Sequence, residues 1–108
     1  MESPIDNPPH RSLKAEHPDV KEILPAYVGR LPRHVERLGE LYAAGNFGEL
    51  RILAHQLKGS GTSYGFERIS ALAGELEDKI ANDEGAAEIG PVVEALRTYM
   101  RNVEGYST

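Results

Sequence analysis

Between Val20 and Ala44 the apolar positions are Val20, Ile23, Leu24, Tyr27, Val28, Leu31, Val35, Leu38, Leu41 and Tyr42. Steps of three and four dominate, which is the spacing of one buried helical face. Pro25 and Pro32 interrupt the run, and proline is tolerated in a first helical turn but breaks or kinks an interior. The pattern predicts either a short helix followed by a longer one starting near Leu31-Pro32, or one kinked helix. Gly45-Asn46 is a helix stop.

A second periodic stretch runs from Phe47 to Ser63 and a third from Phe66 to Ala81, with Gly65 as the break between them. Asn82 to Gly85 reads as a loop. Pro91 is expected to open a last helix whose stripe is Val92, Val93, Leu96, Tyr99, Met100 and Val103. No segment alternates as a strand would, and no internal repeat is present. Amphipathic helices joined by short connections favour antiparallel neighbours. The expected fold is therefore all-α, an antiparallel up-down four-helix bundle with a short or kinked N-terminal helical extension. Residues 1–17 contain Pro4, Pro8 and Pro9 and have no apolar period, so they read as a flexible tail, with the bundle spanning 18–108.

Composition narrows the function classes. The 108 residues include no cysteine, which removes disulfides, thiolate nucleophiles and cysteine-based metal sites. With 12 Lys and Arg against 17 Asp and Glu, the formal charge of -5 argues against a nucleic-acid binder. No apolar run approaches the roughly 18 residues of a membrane span. The opening MESPIDNPPH lacks the basic and apolar regions of a secretory signal, so a cytoplasmic setting is expected.

The chemistry concentrates on the second helix. At about 100° per residue, Leu50, Leu53, Ala54, Leu57, Gly61 and Tyr64 share one face, and His55 lies about 150° from its centre, toward solvent. Lys58 and Gly59 sit one turn above the imidazole and Arg51 one turn below, the positions that touch on a helix surface. Each glycine in a helix interior costs about 1 kcal/mol against alanine. Gly61 faces the core and admits a neighbouring helix. Gly59 does not face the core, and its effect is to clear the approach to His55. An accessible imidazole, nucleophilic near neutral pH, beside a cation suits a group that accepts a phosphoryl, because that transfer depends on alignment and charge compensation. The bland reading of any single surface histidine is a solvated side chain.

On the third helix Phe66, Ile69, Leu72, Ala73, Leu76 and Ile80 form the apolar stripe, with Glu77 at its rim. Counting from Gly65, Glu77 lies 12 positions after and His55 10 before, so an antiparallel hairpin brings them roughly level. Glu77 can then accept a hydrogen bond from Nδ1 of His55 and leave Nε2 free to attack. A rim salt bridge to Arg51 or Lys58 is the alternative. Ile52 falls about 60° from His55 and away from the core. With Arg51 and Thr62 it is either part of a docking patch or a singly exposed apolar residue.

The run Ala54-His55-Gln56-Leu57-Lys58-Gly59-Ser60-Gly61-Thr62-Ser63-Tyr64-Gly65-Phe66 resembles the signature of histidine-containing phosphotransfer (HPt) domains, and Leu76-Glu77 resembles their Leu-Glu pair on the next helix. The resemblance covers roughly residues 18–103. It implies a four-helix bundle in which His55 accepts a phosphoryl group from a receiver-domain aspartate and passes it to another. Lys58 would compensate charge, Gly59 would give access, and Glu77 would orient the imidazole. The family has no ATP site and no autokinase activity, so the protein is expected not to be an enzyme and to hold no cofactor, with Mg²⁺ on the partner receiver. Receiver domains and a hybrid sensor histidine kinase are the implied partners, with no nucleic acid or membrane. A bundle of this size can bury its own stripes, so a monomer is expected. A stand-alone shuttle and a piece of a hybrid kinase both fit the sequence.

Other readings fare less well. His10, His17, His34 and His55 show no metal-ligand spacing, so no metal site is expected. Ser60 lies about 140° from His55 and lacks a nucleophile-elbow pattern, against a hydrolase. The runner-up is a phosphorylation-independent adaptor or inhibitor that docks a receiver or kinase, which would need neither the histidine nor its cleared approach.

Overall fold

A computed structural model describes residues 9–106. Its four helices are α1 (Leu24–Ala43), α2 (Phe47–Ser63), α3 (Glu67–Ala81) and α4 (Ala86–Arg101). Each packs on the next in sequence, α4 closes on α1, and α2 and α3 share the most extensive contact. This is the antiparallel up-down bundle that short connections favour. The apolar stripes meet at its centre, where Leu31, Leu38, Leu50, Ile69, Leu76 and Leu96 have no accessible surface.

The turns follow from residues that can leave the helical path. Gly65 has φ +85°. Its N–H bonds the Thr62 carbonyl (3.1 Å) while the Phe66 N–H reaches back to Gly61 (2.7 Å), a Schellman closure that turns α2 sharply into α3. Asn46 ends the same kind of turn after α1, and its side chain then accepts from the Glu49 N–H at 3.3 Å to cap α2.

Of the two arrangements expected around Pro25 and Pro32, the single helix is the one formed. Pro32 lies inside one continuous α1, and Pro25 occupies its first turn. The segment before Leu24 is a series of turns, and Ile23, assigned to the apolar face, is 50% exposed. An interior proline costs about 3 kcal/mol. Leu31, Val35 and Leu38 flank Pro32 and are buried, each contributing about 1.5–3 kcal/mol, so packing outweighs the lost rung. Pro91 does not open α4, which starts five residues earlier at Ala86. Tyr42 of α1 holds that earlier turn: its hydroxyl donates to the Ala86 carbonyl at 2.8 Å and lies close over Gly90.

The boundary expected after residue 17 is not where packing begins. His10 and Ser12 are buried. The His10 N–H donates to the Asn102 carbonyl and its carbonyl accepts from the Glu104 N–H, both at 2.7 Å, and its ring stacks on Tyr99. Leu13 N–H donates to the Gly65 carbonyl at 2.9 Å, and the Ser12 hydroxyl bonds the Tyr64 carbonyl. These are long-range backbone bonds made by a segment without periodicity, so no pattern announces them. The remainder of the expected tail, residues 1–8, lies outside the described residues.

Candidate functional site

α2 presents His55 outward because Leu53, Ala54 and Leu57 are held in the core around it. The imidazole is 73% exposed, yet its Nδ1 lies 2.9 Å from Oε2 of Glu77 on α3. A carboxylate only accepts hydrogen bonds, so Nδ1 is the donor in this contact, and the neutral tautomer that fits it has its lone pair on Nε2. Glu77 itself is only 17% exposed, as befits a rim carboxylate that has found partners. Its other oxygen lies 3.7 Å from Nζ of Lys58. The two alternatives for Glu77, histidine contact and lysine salt bridge, thus occur together, through separate oxygens. Arg51 is not part of that pair.

The two glycines differ as the helical wheel suggests. A Cβ on Gly59 would meet nothing within 4 Å, so the surface beside the imidazole is open. A Cβ on Gly61 would fall 2.6 Å from Ser70 Oγ and 2.8 Å from Ser70 N, so only glycine lets α3 come this close. Ser60 faces α1 instead of the histidine: its hydroxyl lies 3.2 Å from that of Tyr27. Burial raises the Tyr27 pKa, with the Ser60 hydrogen bond partly opposing it.

Arg51, Ile52 and His55 line one open depression with Gly48, Gln56 and Glu77. Ile52 is 53% exposed. Thr62 lies outside this depression, and its hydroxyl is engaged by Ser70 at 2.9 Å. Among the described residues, no group of three or more His, Cys, Asp or Glu side chains is placed to hold a metal ion.

Two residues that the pattern reading passes over stand beside the site. Ser70 Oγ donates to the Lys58 carbonyl at 2.6 Å and accepts from the Thr62 N–H at 2.6 Å. Gly74 lies beneath the Lys58 side chain, where a Cβ would be 3.5 Å from Cδ and 3.6 Å from Cε. The available signal was spacing: Ser70, Gly74 and Glu77 follow one another at i, i+4 and i+7 on α3.

Comparison with protein-family models matches the Hpt domain over residues 22–106. No curated protein and no solved structure matches the chain.

Proposed function

The chain belongs to the Hpt domain family, whose defining role is histidine phosphotransfer in two-component relays, and on that premise we propose that His55 is its phosphoacceptor. The observation that carries this assignment is an imidazole 73% exposed whose Nδ1 is held by Glu77. The Nε2 lone pair attacks the phosphorus of a receiver's aspartyl phosphate. The N–P bond forms as the P–O bond breaks, and the electron pair returns to the aspartate carboxylate. Nδ1 keeps its proton and donates it as a hydrogen bond to the Glu77 carboxylate, which offsets the positive charge the ring acquires. Lys58 offers an ammonium beside the arriving phosphoryl, and Gly59 leaves room for the receiver's active site. Onward transfer to a second receiver is the reverse of the same step.

The depression lined by Arg51, Ile52 and His55 supports docking of the receiver on this face, and Thr62, outside the depression and two turns above His55 on α2, is a candidate for the rim of the same surface. An exposed apolar residue next to the reacting group is what a partner helix covers. Mg²⁺ belongs to the receiver. A hybrid sensor kinase as upstream source, a monomeric state and a cytoplasmic setting complete the reading. Among the described residues the large exposed apolar side chains are Leu13, Ile23 and Ile52, which leaves little surface for self-association.

The test is phosphotransfer from an acetyl-phosphate-charged receiver with Mg²⁺, read by intact mass and by acid lability of the label. An acid-labile, base-stable phosphate that disappears in His55→Gln is expected. Label retained in His55→Gln would overturn the assignment. Signalling activity that survives in His55→Gln would favour the adaptor.

A further inference from the structure

α3 does more than supply Glu77. The Ser70 hydroxyl bonds two backbone groups of α2 that a regular helix pairs with each other, the carbonyl of residue 58 and the N–H of residue 62. It donates to the Lys58 carbonyl at 2.6 Å. It accepts from the Thr62 N–H at 2.6 Å and from the Thr62 hydroxyl at 2.9 Å. One hydrogen and two lone pairs are thereby all used. These bonds tie α3 to the turn of α2 that bears Lys58 and Gly59. They depend on Gly61, whose absent Cβ is what allows Ser70 to approach.

The same face of α3 continues along the lysine. The stem crosses over Gly74, with Cδ and Cε within 3.6 Å of where a Cβ would stand, and the ammonium ends 3.7 Å from Glu77 Oε1. Carbonyl, stem and ammonium of Lys58 are thus each engaged by one member of the stripe Ser70, Gly74 and Glu77. A surface lysine is usually a mobile, hydrated charge with about 2 kcal/mol of rotamer entropy to lose on binding. Here a hydroxyl bonds its carbonyl, and its stem, in a side chain 53% exposed, lies along a track that ends at the imidazole's own partner.

We propose that Ser70 is a positioning residue for phosphotransfer, acting through Lys58: its hydroxyl fixes the α2 backbone so that the lysine stem lies over Gly74 and the ammonium stays beside Glu77, the partner of His55. The functional half of this proposal rests on His55 being the phosphoacceptor. The positional half does not.

Two measurements on the full chain test the halves separately. In NMR spectra of the unphosphorylated protein, nuclear Overhauser contacts between the Lys58 Hδ and Hε protons and the Gly74 Hα protons are expected. They should be lost in Ser70→Ala and kept in Ser70→Thr, which retains the hydroxyl. Contacts that persist undiminished in a folded Ser70→Ala overturn the positional half. In the transfer assay Ser70→Ala should slow phosphorylation of His55 by about threefold or more, within the range of coupled neighbours, and should have no further effect in a Lys58→Ala background. An equal slowing in both backgrounds overturns action through Lys58, and an unchanged rate in Ser70→Ala overturns any role in transfer. If wild type takes no label from any charged receiver, the phosphoacceptor reading fails, while the Lys58–Gly74 contacts still decide the positional half.

Discussion

Oε2 of Glu77 stands 2.9 Å from Nδ1 of His55, across the α2–α3 interface, while the imidazole remains largely open to solvent. The contact selects the tautomer without covering the ring. Replacing Glu77 by alanine removes the acceptor. The expected result is a mixed tautomer population in nitrogen-15 spectra of His55 and a transfer rate lower on the order of tenfold, the equivalent of one charge-assisted hydrogen bond. An unchanged tautomer and rate would reduce Glu77 to a surface ion-pair partner of Lys58.

Gly59 and Gly61 are two positions apart and should respond oppositely. Gly59→Leu places its Cβ where nothing lies within 4 Å, on the solvent side of α2, so the bundle folds with stability unchanged or raised by up to about 1 kcal/mol. Transfer to His55 should nevertheless fall sharply, because the added side chain occupies the approach. Gly61→Ala should lower stability by about 1–3 kcal/mol, because the new Cβ collides with Ser70 backbone and hydroxyl. Paired urea titrations and transfer assays check both. Wild-type transfer in Gly59→Leu would defeat the steric argument.

Much of this was legible from spacing. The core faces of α2 and α3, the stop at Gly65 and the outward direction of His55 all follow from the 3.6-residue period, because the period is what burial selects. Counting from Gly65 also levels Glu77 with His55. Pro91 misled because local propensity is weaker than the burial of Ile89, Val92 and Val93 around it. Ser70 was missed for a different reason: a hydroxyl that bonds the backbone of a neighbouring helix leaves no hydrophobic signature. His10 and Ser12 escaped notice in the same way, because their partners are main-chain groups on distant elements.

A protein starting at residue 18, the boundary the hydrophobic pattern suggests, loses the bonds of His10, Ser12 and Leu13 to the segment just after α4 and to the Gly65 turn. Each such bond contributes roughly 0.5–1.5 kcal/mol. The melting temperature should drop by at least about 4–8 °C, the equivalent of 1 kcal/mol in a domain of this size. Differential scanning calorimetry of the full and shortened chains measures it. Equal melting temperatures would show that residues 9–17 rest on the bundle without stabilising it.

The stability of the bundle should also carry a histidine signature away from the site. Burial lowers the pKa of His34 below its ordinary 6.5, and the nearby cations of Arg30 and Arg33 act in the same direction. The unfolded chain then binds the proton more readily than the folded one between the lowered value and 6.5. Folding stability on this account is fully present above about 6.5. It falls as pH drops through the folded pKa, with a slope of at most about 1.4 kcal/mol per pH unit. Below that the contribution is level again, since both states are protonated. His34→Asn removes the titration while keeping a polar side chain of similar reach. Urea unfolding of both proteins from pH 7.5 downward should therefore show the wild type losing stability faster than His34→Asn below pH 6.5, with parallel curves above it. Carboxylates and the other histidines titrate in both proteins and cancel in the difference. Parallel curves across the whole range would mean that His34 is as easily protonated in the fold as in the unfolded chain, and that Arg30 and Arg33 are too well solvated to influence it.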